Sequence, residues 1–427
     1  MRVATAVRGD VARPGSLKAR GAAFPGHPVL RPPQLRTSGG HDQEERRASW
    51  LELFFDLVFA GAVGQLAGAF QDHPGLGTLL RFTILFTPIW WLWVQLTFYA
   101  DRHESEDAAH RAAFLTAMLL CVGLAASAPR ALAGSTTGFV IVVVALRGLQ
   151  LALYARARRH IPATKALYAR YLTFFGAGGA LWLSSLTMVG PLAPARYAFW
   201  AAGLLCDAIG ALAMTSPHSR VPLNPWHLAD RFKLFVLIVL GESVARLISA
   251  ATERPWSLQL AVVLCAALFT LAALWWSWLA AADRRALDGP RAIAGFTALN
   301  LPIVAGIAAG SAGLHIAILA ADGASTIGIG PRAALYGGVS LSILASAWLP
   351  SRKLSRGARV TRVATAMAAL GLVFMGAIVL PVYLVPALTL VLVVGLSAES
   401  HLRCVTAVRT SVGSWVSALR RSAVPGA

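Results

Sequence analysis

Residues 50–70 read WLELFFDLVFAGAVGQLAGAF. At 1.5 Å rise per residue, a stretch of this length crosses a hydrocarbon core about 30 Å thick as one helix. Its only ionisable residues are Glu52 and Asp56. The pattern recurs outward from it, with apolar runs at roughly 78–99, 110–127, 135–154, 169–189, 195–215, 231–251, 256–281, 292–314, 332–349, 360–379 and 382–399. Together these predict an all-α, polytopic transmembrane helical bundle of about 12 helices.

Composition agrees with that reading. Of 427 residues, 57% are hydrophobic and only 13% charged, and mean hydropathy is +0.63. Soluble domains carry about 25% charged residues, so this chain cannot cover a water-facing surface. A soluble enzyme, a disordered chain and a disulfide-rich secreted protein are excluded. Cys121, Cys206, Cys265 and Cys404 are scattered without metal-ligand spacing and read as small apolar packers.

The net charge of +19 would point to nucleic acid in a soluble protein. Here the basic residues lie between the apolar runs, so no nucleic-acid partner is expected; membrane lipid is. With the N-terminus placed in the cytoplasm, 31 of the 38 Lys and Arg fall on the cytoplasmic side. Only Arg130, Arg196, Arg254 and Arg332 fall on the other, and Arg81, Arg147 and Arg246 lie within helices. The positive-inside rule gives this pattern for an even helix number with both termini cytoplasmic, and the plasma membrane is the expected location.

The chain divides into a disordered basic tail (1–49), a first six-helix half (50–215), a linker (216–230), a second half (231–399) and a C-terminal tail (400–427). The linker is Pro-rich, and Trp226 is its expected interfacial anchor. The halves look like a repeat. Residues 89–102 read IWWLWVQLTFYADR and residues 274–284 read LWWSWLAAADR, so two helices end on three tryptophans followed by Asp-Arg. Six is even, so the halves would share orientation, related by an axis along the membrane normal.

Three stretches carry a family resemblance: WLELFFDLVFAGAVGQLA (50–67), ADRHESEDAAHR (100–111) and HLADRFKLFVLIVLGESV (227–244). In this order they resemble the low temperature requirement A (LtrA) family of bacterial membrane proteins, over about Trp50 to Glu399. The resemblance implies a polytopic membrane protein and no particular reaction. Two positions depart from the family pattern: Asn300 stands where a histidine is usual, and the acidic residue usual near His315 is missing. The loop after the second helix has Asp101, Arg102, His103 and Glu104 in place of the usual Asn-Arg-Phe-Asp.

Ionisable groups at membrane depth cost at least about 2.5–3.5 kcal/mol each and mark function by default. Glu52 and Asp56 share a helix face, with Asp56 a turn deeper. Glu242 falls near the midplane, with Arg246 at i+4 positioned to pair with it. Arg147 and Asp207 also fall near mid-depth. The expected pathway lies between the halves: Asp56, Asp207 and Glu242 bind a proton or cation, or help bind a small solute, while Arg147 and Arg246 balance charge. The alternative is an ion-paired core that only fixes helix packing. Gly241 and Ser243 beside Glu242 are either packing or a substrate contact, and Asn300 joins the candidates.

His103, Glu104, Glu106, Asp107 and His110 gather after the second helix. A solvated loop is the expectation for them, with a divalent-metal site the minor alternative. No P-loop, HExxH, GxSxG or GxGxxG motif occurs, so neither enzymatic activity nor a cofactor is expected. The leading reading is a secondary transporter or permease of a small solute or ion. The other is a non-transporting membrane protein supporting growth at low temperature by sensing or scaffolding. Ionisable residues converging on one wet cavity would favour the first; scattered, dry, paired residues would favour the second. Neither substrate nor oligomeric state is legible.

Overall fold

A computed structural model of the chain describes residues 32–35, 49–104, 107–212, 223–321 and 326–422, with side chains through Cys404. Among the described residues it is helical apart from one short strand pairing. The helices are α1 (Trp50–Asp72), α2 (Leu76–Arg102), α3 (Ala108–Leu132), α4 (Thr137–His160), α5 (Lys165–Ser184) and α6 (Arg196–Leu212). They continue with α7 (Pro225–Thr252), α8 (Leu258–Ala281) and α9 (Pro290–Leu319). Then α10 starts as Ile329–Arg332, passes through a π-helical turn Ala333–Gly337 and resumes as Gly338–Ala347. Helices α11 (Arg356–Met375) and α12 (Pro381–Ser422) complete the bundle. The twelve predicted runs are thus twelve helices.

Nine of these, among the described residues, are long and apolar enough to cross a membrane: all except α5, α6 and α10. Helix α6 has 17 residues, α5 opens on Lys165 and carries Arg170, and the π-turn interrupts α10. Large apolar side chains stay exposed around the outside, including Leu119 (71%), Phe269 (61%) and Phe374 (74%). Such a surface suits lipid and not water. The protein is a multi-pass membrane protein.

Polar caps start several helices. Ser49 and Glu52 form a reciprocal capping box on α1, with Glu52 Oε2 accepting from the Ser49 backbone N–H at 2.8 Å. Asp107 caps α3, and Asn224 caps α7 ahead of Pro225 at the first helical position. Small residues let backbones approach closely. A Cβ on Gly313 of α9 would lie 2.6 Å from the Leu335 backbone nitrogen of α10.

Helix α1 packs on α3, α3 on α4, α4 on α5 and α5 on α6. In the second half α7 packs on α9, α9 on α10, α10 on α11 and α11 on α12. The halves meet where α1 contacts α7 and α9, with α2 beside them. Helix α12 also returns against α8.

Three boundaries differ from the sequence reading. Helix α7 begins at Pro225, so Trp226 and His227 of the expected linker are helical; residues 213–222 lie outside the described ones. The Trp226 ring sits under the Arg284 guanidinium, 4.1 Å from centroid to Cζ. The last helix does not stop at 399 but runs to Ser422, since no proline follows Pro386 until residue 425. Within the expected N-terminal tail, Gln34–Leu35 pairs antiparallel with His103–Glu104; residues 1–31 and 36–48 lie outside the described ones.

Candidate functional site

The densest polar cluster forms where α1, α2 and α7 meet near the arginine-rich end of the bundle. Arg231 is fully buried and grips Asp56 with two hydrogen bonds, Nε to Oδ2 at 2.9 Å and Nη2 to Oδ1 at 2.6 Å. Trp93 Nε1 donates to the same Asp56 Oδ1 at 2.7 Å. Arg231 Nη1 lies 3.2 Å from Glu52 Oε1. One turn earlier, His227 places Nδ1 2.8 Å from Asp101 Oδ1 and Nε2 3.5 Å from Glu52 Oε2. The second Asp101 oxygen accepts the Asn224 backbone N–H at 2.7 Å. An i,i+4 acidic pair on α1 therefore faces an i,i+4 basic pair, His227 and Arg231, on α7.

Arg231, His227, Asp101 and Trp93 were not among the sequence candidates. Two signals were available: the matched four-residue spacing, and the presence of both pairs inside the motif stretches.

Asp207 and Arg147 do not join Asp56. They form a separate bidentate pair between α6 and α4, both enclosed, with Nη1 to Oδ1 at 2.7 Å and Nη2 on Oδ2. Gly178 of α5 makes room for them: a Cβ there would lie 2.9 Å from Asp207 Oδ1. This pair belongs to the first half and does not reach α7. The expected single pathway through Asp56, Asp207 and Glu242 is not assembled in this conformation.

Glu242 and Arg246 share a face of α7, as predicted, but no ion pair or hydrogen bond joins them. Both are half-buried and turned onto glycines of α1. A Cβ on Gly64 would lie 2.8 Å from Glu242 Oε2, and one on Gly68 would lie 3.0 Å from Arg246 Nη1. The Arg246 backbone carbonyl lies 3.1 Å from His315 Nδ1 on α9. Gly241 faces open space and is not a helix contact. Ser243 is buried and donates to its own helix at Val239 O, 2.9 Å away.

Between Arg231 and Glu242, eleven residues apart or roughly 16 Å along the helix, the helix junction is aromatic. Trp93 approaches Phe235 at 4.2 Å and Phe232 at 5.0 Å, and Trp90 packs edge-on against both. This dry plug separates the two polar sites.

Asn300 is fully buried on α9. Its Oδ1 accepts from Trp278 Nε1 at 2.8 Å, and its Nδ2 donates to Phe296 O at 2.8 Å. The histidine-and-acid loop is dispersed. His103 is buried between Tyr99 O (2.8 Å) and the Tyr168 hydroxyl (3.0 Å), while Asp107 caps α3 and pairs with Arg156 at 2.7 Å. Among the described residues no group of three potential metal ligands converges; Glu106 lies outside them.

A further buried pair, also missed from sequence, joins α11 and α12. Arg362 bonds Glu399 through Nε (2.8 Å) and Nη2 (2.9 Å) and donates to Ser346 Oγ and Ser277 O.

Motif order, helix number and these buried polar positions can be set beside known proteins. The chain is 29% identical over 287 residues to the uncharacterized protein RA0937 of Rhizobium meliloti (strain 1021), covering 62% of this chain and 68% of that one. No solved structure matches it. The pattern of the bacterial low temperature requirement A protein spans residues 47–398, so the chain belongs to the LtrA family.

Proposed function

We propose that this protein is a secondary transporter or permease of the plasma membrane, with both termini cytoplasmic, moving a proton or small cation, alone or with a small solute. The observation that carries this reading is the Glu242–Arg246 site. A carboxylate and a guanidinium at membrane depth, half-buried and without a hydrogen-bonding or ion-pairing partner among the described residues, are costly to keep for packing alone. Glycines at 64 and 68 reserve the space in front of them, and His315 lies across the junction. The site lies between α1 of one half and α7 and α9 of the other, where a binding site between repeats is expected. The parallel succession of helix neighbours in the two halves supports an internal repeat.

In this reading the aromatic layer of Trp90, Trp93, Phe232 and Phe235 closes the path on the arginine-rich side. Asp56–Arg231 and Arg147–Asp207 are frame and not pathway, because each charge is already met. We assign no enzymatic activity. The test is proton-linked flux into liposomes over an ion and metabolite panel. Wild type should show flux, Glu242→Gln should abolish it, and Asp207→Asn that still folds should retain it. Absence of flux for every panel member, or normal flux in Glu242→Gln, would remove this reading.

The separation of the other ionisable residues into dry, partnered pairs favours a second reading: a non-transporting protein that supports growth at low temperature by sensing or scaffolding. It expects Glu242→Gln to leave cold growth unchanged and disruption of Asp56–Arg231 to abolish it.

A further inference from the structure

A cleft of about 300 Å³ opens between α8 and α12, lined by Trp276, Leu279, Leu396, Glu399, Ser400 and Arg403. We infer that it is a binding site for one anionic phospholipid, whose phosphate sits on Arg403 and whose acyl chain lies along Trp276, Leu279 and Leu396.

Depth is the first argument. Arg403 stands 22 residues after Pro381, roughly 33 Å along α12. That is one hydrocarbon thickness, about 30 Å. The guanidinium therefore falls at headgroup level while Leu396 remains in the acyl region. Trp276 lies five residues before the end of α8 and is 56% exposed, as suits a tryptophan at a membrane interface. The cleft thus presents apolar walls below and a cation above, in the order in which a phospholipid presents chain and phosphate.

Charge is the second. Glu399 is shared by two arginines, since Arg362 bonds both its oxygens and Arg403 bonds Oε1. Two guanidiniums against one carboxylate leave one positive charge. Arg362 is enclosed and held by Ser346 and Ser277 O, so the surplus resides on Arg403, whose side chain is 26% exposed. Arg403 Nε is buried with no hydrogen-bond partner among the described residues, and its Nη2 also reaches Ala280 O at 3.2 Å. The site rejects a second cation and favours a phosphate without a compensating ammonium. Phosphatidylglycerol and cardiolipin have this chemistry; phosphatidylcholine does not.

The experiment uses the full-length protein, delipidated in detergent and titrated with dioleoylphosphatidylglycerol, dioleoylphosphatidylcholine or inorganic phosphate. Thermal unfolding and native mass spectrometry are the readouts. Phosphatidylglycerol should raise the unfolding midpoint and be retained, and phosphatidylcholine should do neither. Arg403→Gln should weaken phosphatidylglycerol retention about tenfold, the loss of one charge-assisted contact, while Arg403→Lys keeps most of it. Equal retention of both lipids, or wild-type retention in Arg403→Gln, would overturn the proposal. A midpoint rise reproduced by inorganic phosphate alone would also overturn it, by making the site one for a free anion. Should Arg403→Gln not fold, brominated phosphatidylglycerol decides. It should quench a fluorescence component present in wild type and absent from Trp276→Phe; no such component would refute the site.

Discussion

Asp56 on α1 and Arg231 on α7 are 175 residues apart in sequence and form a two-point hydrogen-bonded ion pair with no solvent exposure on either side chain. The pair bridges the two halves of the chain. Arg231→Met leaves the buried Asp56 carboxylate without its cation, and Asp56→Leu leaves Arg231 with the Glu52 contact at 3.2 Å. Arg231→Met alone should therefore cost about 3–5 kcal/mol, and Asp56→Leu less, because Glu52 still faces Arg231. The double variant should cost clearly less than the sum of the two. Unfolding midpoints of all four proteins, read as a double-mutant cycle, check this; simple additivity would mean that the pair does not couple the halves.

Trp93 and Trp278 occupy equivalent places in the two tryptophan-rich helix ends, and each donates to a buried polar side chain, Asp56 and Asn300 respectively. Replacing either by Phe keeps an aromatic ring but removes the N–H: Asn300 Oδ1 loses its donor, while Asp56 Oδ1 loses one of two and keeps Arg231 Nη2. A loss of about 1–3 kcal/mol is expected for Trp278→Phe, which leaves a buried acceptor unmet, and a smaller one for Trp93→Phe. Trp278→Phe combined with Asn300→Leu should recover part of it, because the orphaned acceptor is then gone.

Gly64 bears on Glu242 and not on another backbone. Gly64→Ala should leave expression and unfolding near wild type, since the end of a flexible side chain can move aside, and should reduce flux by displacing Glu242. Gly203→Ala contrasts with it: the added Cβ would lie 2.6 Å from the Trp182 ring, wedged between α5 and α6. That variant should lose folded yield first. Fluorescence-detected size exclusion together with liposome flux separates the two outcomes.

Outside the spans, Asp288 and Arg352 pair across two loops, and hydrogen bonding from Arg352 holds the Asp288 carboxyl below its ordinary range. A depressed carboxyl adds stability above its unfolded pKa and loses it as pH falls through the folded one. Both side chains are about two-thirds exposed (66% and 63%), so solvent screens the pair. Asp288→Asn should therefore lower the unfolding midpoint only slightly at neutral pH, and the difference from wild type should vanish under acid, where the Asp288 carboxyl is protonated in both folded and unfolded chains.

The sequence alone determined that the chain lives in a membrane, the number of its helices and the gathering of its arginines at one end. Each of these follows from local counts: apolar run length against bilayer thickness, and charge between runs. It also marked Asp56, Arg147, Asp207 and Glu242 as buried or half-buried ionisable groups, because such residues inside apolar runs have nowhere else to go. It could not say which would meet. Helix association in lipid has no hydrophobic term to read from composition; contacts depend on small residues and interhelical hydrogen bonds. Only the tertiary structure placed Arg231 on Asp56, closed Asp207 onto Arg147 beside Gly178, and left Glu242 and Arg246 against Gly64 and Gly68 instead of against each other. The last helix shows the same limit, since leaving the apolar run at Glu399 ends the membrane signal but not the hydrogen-bonded helix, which continues to Ser422.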